Sequence, residues 1–211
     1  AQLHDLIKKT IKEHKRIIFN GDGYDDSWIA EAEKRGLKNL KTTPDALAHM
    51  LDDKNVKLFT DHKVLTVPEI TARHEVRLEN YCKVINIEAL TMLDMVRKDI
   101  LPAMSDFSCE LADGAAKKAA FMPEADCTYE KGTVKSVSAL IGAAFRAVRK
   151  LEEDLLSSKS IEDFTELADF YKTKILDDMR VLRISVDEIE TIAPKEKWPY
   201  PSYGELLFSV R

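Results

Sequence analysis

The chain has 211 residues, of which 45% are hydrophobic and 33% charged, with a formal net charge of −5. That length buries a core in one or two domains, and the acidic balance, with acids and bases interleaved, argues against a phosphate-binding surface for DNA or RNA. No apolar run approaches the roughly 18 residues of a transmembrane helix and nothing resembles a signal peptide, so a membrane partner is not expected either.

Seven glycines and seven prolines are the only strong punctuation, so long helices are the expectation. Ala1-Gln2-Leu3 already stands in helical register with Leu6, Ile7 and Ile11, without an initiator Met or a capping residue. The chain is therefore expected to start inside a helix that runs to about Lys15, as a piece of something longer. Asn20-Gly21-Asp22-Gly23 forces a turn, its glycines permitting positive φ. Asp25 or Asp26 can cap a short helix through Trp28 to Arg35, with Gly36 as its terminating residue. Thr43-Pro44-Asp45 combines a capping hydroxyl, a first-turn proline and a first-turn acid, and the helix it opens points Leu47, Met50 and Leu51 inward. A further short helix is expected around Val56, Leu58 and Phe59.

Thr66-Val67-Pro68-Glu69 starts a long helix. Its apolar positions Leu78, Tyr81, Ile85, Ala89, Met92, Val96, Ile100, Ala103, Phe107 and Leu111 follow a 3-4-4 spacing, which keeps one stripe on a nearly straight helix. Pro102 is expected to kink this helix without ending it, and Met122-Pro123 to end it. The next helix, about 130–157, carries Val134, Val137, Ile141, Ala144, Val148, Leu151 and Leu155 as a heptad seam. After a turn at Ser157-Ser158-Lys159-Ser160, with Ser160 as cap, the last long helix presents Ile161, Phe164, Ala168, Tyr171, Ile175, Met179, Leu182, Val186 and Ile189. The short turn and matched lengths make these two an antiparallel pair, with Arg149 and Glu152 facing water. Pro194 stops the helix, and Trp198-Pro199-Tyr200-Pro201 leads into an extended apolar tail, Leu206-Leu207-Phe208. The predicted fold is all-α: short helices, a bundle of three long helices, and an aromatic tail.

Chemistry is sparse. Asn20 to Asp26 reads either as a structural turn or as a loop bordering a ligand site, because glycines expose backbone N–H groups and acids can hold a metal, yet it matches neither a phosphate loop nor a calcium loop. His74-Glu75 lacks the second histidine of a zinc-protease helix, since position 78 is Leu. The five histidines show no spacing for a catalytic triad. Glu152-Glu153-Asp154 reads as a solvated face, and Met92, Met95 and Met104 as core. Cys82, Cys109 and Cys127 form no CxxC pair, which excludes a disulfide framework or zinc ribbon and suits free thiols in a reducing cytosol. The aromatics Trp198, Tyr200, Tyr203 and Phe208 suggest a docking segment, seated on its own protomer or on a neighbouring subunit.

Three blocks resemble type III glutamine synthetases: Glu13-His14-Lys15-Arg16-Ile17-Ile18-Phe19-Asn20-Gly21-Asp22-Gly23-Tyr24, then Val84-Ile85-Asn86-Ile87-Glu88-Ala89-Leu90-Thr91-Met92-Leu93-Asp94-Met95, then Trp198-Pro199-Tyr200-Pro201-Ser202-Tyr203-Gly204-Glu205-Leu206-Leu207-Phe208. More weakly, Thr43 to Leu51 and the helix carrying Arg73, Glu75 and Glu79 look like the closing helices of a glutamine synthetase catalytic domain. The resemblance implies three parts: residues 1–85 closing the catalytic domain, 86–197 a helical bundle particular to type III enzymes, and 198–211 a docking tail. It implies a parent that joins glutamate and ammonia using ATP and Mg or Mn, as a cytoplasmic double-ringed homo-oligomer. The family's metal-binding glutamates, phosphate-binding arginines and nucleotide pocket lie upstream of Ala1, so no catalytic, cofactor-binding or metal-binding residue is assigned here. Gly114 to Thr133 looks variable in composition and carries no recognisable motif. The expected partners are the remainder of the protomer and neighbouring subunits; a free-standing helical protein-interaction module is the alternative.

Overall fold

The computed structural model describes residues 2–208, and every regular element among them is helical. Ala1 and residues 209–211, which include the last part of the expected tail, lie outside the described residues. The chain divides into two compact units, Ala1–Lys41 and Thr42–Arg211.

The first unit holds α1 (Gln2–His14), a 3₁₀ turn (Lys15–Ile17) and α2 (Asp26–Lys34). α1 is amphipathic as expected, yet it buries none of its residues: Leu3, Leu6, Ile7 and Ile11 are 50–69% exposed. α2 starts where Asp25 accepts a hydrogen bond from the Ser27 N–H at 2.7 Å. It ends at Gly36, whose φ of +78° is the left-handed conformation a helix stop requires. The Gly36 N–H donates to the Glu33 carbonyl and the Leu37 N–H to the Ala32 carbonyl, both at 2.9 Å, which completes a Schellman motif.

In the second unit, α3 (Thr43–Leu47) is capped by Thr42, one residue before the expected Thr43, and buries Leu47. Leu51 is exposed rather than inward, and α4 (Asp53–Asp61) likewise leaves Leu58 in solvent. These helices are too short to bury more than one side of a turn each. α5 (Val67–Met95) begins with a capping box, the Glu69 carboxylate accepting from the Thr66 N–H at 2.7 Å.

The helix continues as a π turn (Val96–Ile100) and α6 (Leu101–Phe121). Pro102 explains the π turn. Its ring collides with an α-helical carbonyl four residues back and it offers no N–H, so one wider turn keeps the helix continuous. The Leu101 N–H donates to the Val96 carbonyl, five residues back. Every position of the 3-4-4 stripe is buried or half-buried.

α7 (Thr128–Ser158) returns antiparallel, and the final long helix comprises α8 (Phe164–Phe170), a second π turn (Tyr171–Ile175) and α9 (Leu176–Ile192). Its cap is Asp163, which accepts from the Thr165 and Glu166 N–H groups at 2.9 Å; the expected cap, Ser160, instead donates to the Ser157 carbonyl. The carboxylate reaches two N–H groups at once, so the helix begins three residues later than the sequence suggested. α9 packs along α7, while α6 packs against the first half of α7. Val137, Val148 and Leu155 are buried in one cluster with Tyr171 and Leu182, but Phe164, at the turn end of the hairpin, is exposed. Glu152 does not simply face water: its carboxylate pairs with Arg97 across the bundle. Ala193 is extended, as a residue before proline must be, and the helix stops. Beyond it, Tyr203–Leu207 forms a short helix, α10, where an extended tail was expected, because Ser202 and Glu205 make a second capping box.

Candidate functional site

Among the described residues two places carry organised side-chain chemistry, and neither forms a catalytic constellation. The first is the Asn20–Asp26 loop. Phe19 and Trp28 stack with ring centroids 4.4 Å apart, tilted by 37°. The Arg35 guanidinium sits 5.9 Å from each ring centroid. It is held there by Glu31, 2.6 Å from Nε, and by the Arg16 carbonyl, 2.8 Å from Nη1. The same Arg35 hydrogen bond holds the Glu31 carboxyl below its ordinary pKa. The clamp therefore ties both ends of the loop to α2.

Gly21 is needed at this point for space rather than for positive φ. A Cβ there would lie 2.5 Å from the Phe19 ring, and neither Gly21 nor Gly23 is among the positive-φ residues. The loop acids are occupied locally. Asp22 accepts from the Tyr24 N–H at 2.9 Å, and Asp25 caps α2. Tyr24 projects fully into solvent. Among the described residues no group of three or more His, Cys, Asp or Glu is arranged to hold a metal ion. The donor set here does not fit a divalent metal or a nucleotide phosphate. The clamp is not legible in the sequence because its three members are spread over seventeen residues with no motif; only the cation–aromatic pairing of Arg35 with Phe19 and Trp28 signals it.

The second place is the seam between α5 and α9, where an open apolar groove of about 390 Å³ is lined by Met92, Met95, Val96, Ile100, Met179 and Val186, with Glu88, Arg183 and Asp187 at its rim. Met104 is core as expected, but Met95 faces this groove. Below it, Tyr171 joins three helices: its hydroxyl donates to Asn86 Oδ1 at 3.2 Å and lies 3.4 Å from the Ser158 hydroxyl. The second π turn also brings Lys172 to Asp45, 2.6 Å away, pinning α3 to the bundle.

Among the described residues, one buried side-chain polar atom is unsatisfied. Asp178 Oδ2 has no hydrogen-bond donor, and it neighbours Asp154, itself paired with Lys150 at 2.6 Å. Burial first, then the Asp154 carboxyl, push Asp178 up to about 6. Two ionised carboxylates cannot bond each other, so the pair is satisfied only when it shares a proton. His74 and Glu75 are ordinary mid-helix residues of α5. The three cysteines are free thiols, and burial raises the Cys82 thiol to about 11, which makes it unreactive. No helix among the described residues is long and apolar enough to cross a membrane.

Comparison with known proteins bears on the whole chain. The family described as the glutamine synthetase C-terminal domain matches residues 2–119. The chain is 39% identical over 210 residues to a glutamine synthetase of Butyrivibrio fibrisolvens, covering 100% of this chain and 30% of that protein. It is 33% identical to the type-3 glutamine synthetase of Dictyostelium discoideum, over 96% of this chain and 28% of that protein. A glutamine synthetase of Bacteroides fragilis is 29% identical over 97% of this chain and 28% of its own length. The chain thus spans less than a third of the curated relatives it matches.

Proposed function

Because this chain belongs to the glutamine synthetase C-terminal domain family, we propose that it serves as scaffold and assembly surface of an ATP-dependent glutamate–ammonia ligase whose catalytic groups lie in other parts of the protein. The observation that carries this reading is α1. Four large aliphatic residues on one face of a thirteen-residue helix stay half or more exposed. An amphipathic helix of that length is marginal unless its stripe is covered. In the full enzyme, further chain of the same protomer or a neighbouring subunit covers it. On this reading residues 1–85 close the catalytic domain, 86–197 form the bundle particular to type III enzymes, and 198–211 dock, in a cytoplasmic homo-oligomer that takes ATP with Mg or Mn elsewhere.

The test compares synthetase turnover of this chain, of a chain extended upstream as in the relatives, and of the extended chain carrying Leu6→Asp and Ile7→Asp. The short chain should make no glutamine from glutamate, ammonia and Mg·ATP, the extended chain should, and the double variant should lose assembled mass in light scattering. Turnover by the short chain above a no-protein control overturns the division of labour. Unchanged assembly of the double variant removes α1 from the interface. A natural protein of about 24 kDa, in place of one near the length of the relatives, would favour the free-standing interaction module.

A further inference from the structure

The polypeptide after α9 follows one seam of the bundle. Lys197 Nζ meets Glu110 of α6 at 2.5 Å, and three residues later the Tyr200 hydroxyl donates to Asp99 at 2.6 Å. The chain therefore descends α6 in the direction opposite to α9, with Trp198 and Tyr200 half-buried against the core. Tyr203 is next. The Arg183 guanidinium is held charged by Asp187 first, and the Tyr203 phenol is near enough to add to that effect. Arg183 and Asp187 form the rim of the methionine-lined groove, and Ile100, beside Asp99, is part of its wall. The successive landmarks Glu110, Asp99 and Arg183 thus lead the tail to the mouth of the groove.

At that mouth the tail lifts away. Leu206, Leu207 and Phe208 are 58%, 73% and 80% exposed and none of them lines the groove, which is open and walled chiefly by thioether and aliphatic groups. Lys195 pairs with Glu205 of α10 at 3.0 Å, and both side chains lie partly in solvent. An ion pair of that kind is weak beside the burial of two large apolar side chains. Pro199 and Pro201 stiffen the segment before it, leaving the bonds around Ser202 as the hinge.

We propose that Tyr203–Phe208 is a strap that closes over the α5–α9 groove of its own chain, seating Leu207 and Phe208 among Met92, Met95 and Met179. Methionine suits such a site because its unbranched, polarisable side chain repacks around an incoming aliphatic or aromatic group. The Lys195–Glu205 pair is the latch of the open form.

Two measurements on the full chain test this. In a Cys109→Ser background, Met95→Cys with Leu207→Cys should oxidise to a disulfide within one chain, since closure brings the two Cα atoms within the roughly 7 Å that a disulfide spans. Adding Lys195→Ala should speed that oxidation several-fold. With ¹³C-methyl methionine, Leu206→Ser, Leu207→Ser and Phe208→Ser together should shift the Met92, Met95 and Met179 signals and leave Met50, Met104 and Met122 in place. Failure to crosslink overturns the strap, as does a disulfide found only between two chains, and so does a methionine spectrum the triple variant leaves unchanged.

Discussion

α1 and the α7–α9 hairpin carry the same kind of sequence signal and meet opposite fates. Leu3, Leu6, Ile7 and Ile11 repeat at helical spacing and all remain exposed. Val137, Val148, Leu151 and Leu155 repeat at helical spacing too, and all are buried against the facing helix. An apolar stripe fixes that a segment is helical and which side must be covered, but what covers it is a property of the partner. The hairpin brings its partner along in sequence, one short turn away; α1 does not.

Five substitutions turn that contrast into measurements by thermal melt. The largest effect belongs to Val148→Asp. Val148 is fully buried, and an unpaired carboxylate there should cost more than about 4 kcal/mol and unfold the hairpin. Next comes the paired truncation of Leu182 and Leu6. Leu182→Ala at the fully buried position should cost about 2–5 kcal/mol, whereas Leu6→Ala on the uncovered stripe should stay within about 0.5 kcal/mol. Equal losses at the two sites would mean that α1 is covered in the isolated chain after all.

A smaller effect, visible as a pH dependence, comes from Asp178. Its folded pKa of about 6 lies above the ordinary carboxylate value of 3.8, so the folded state keeps a proton that the unfolded state releases. That contribution is complete at acid pH and is lost as pH climbs from about 4 through 6. Asp154 opposes it in part: burial pushes its carboxyl up, but Lys150 holds it below the ordinary value. Asp178→Asn should flatten the decline in melting temperature over that window and melt higher than the parent chain at pH 8. A parent melting temperature that rises steadily from pH 4 to 7 would show that the two carboxyls do not share a proton. Arg149→Asp on the exposed side of α7 should likewise change stability little, by less than about 1 kcal/mol; a larger loss would place that face in a contact.

Most helices were legible from the sequence because their signals are local. The Thr66–Glu69 box, the Gly36 stop and the Asp25 cap depend on residues within four positions of each other, and the structure places each where its chemistry predicts. The errors also have local causes. The cap expected at Ser160 falls instead to Asp163, whose oxygen accepts from two N–H groups and so begins the helix. Ser202 and Glu205 form a capping box, which starts α10 where the closely spaced prolines predict an extended tail.

The candidate sites were less legible, because each joins residues that only folding brings together. Arg35 reaches back over α2 to Phe19, Tyr171 meets Asn86 across eighty-five positions, and Asp178 finds Asp154 on the opposing helix. Sequence by itself determined that this protein is all-helical, where its long helices run, which of their faces are apolar and which family the chain resembles, since periodicity and short motifs act over a turn or two of backbone. Tertiary structure alone decided which stripes are covered, where a methionine-lined groove stays open beside the tail, and which carboxylate loses its water. Burial and electrostatic environment depend on neighbours far away in sequence, and no local pattern encodes them.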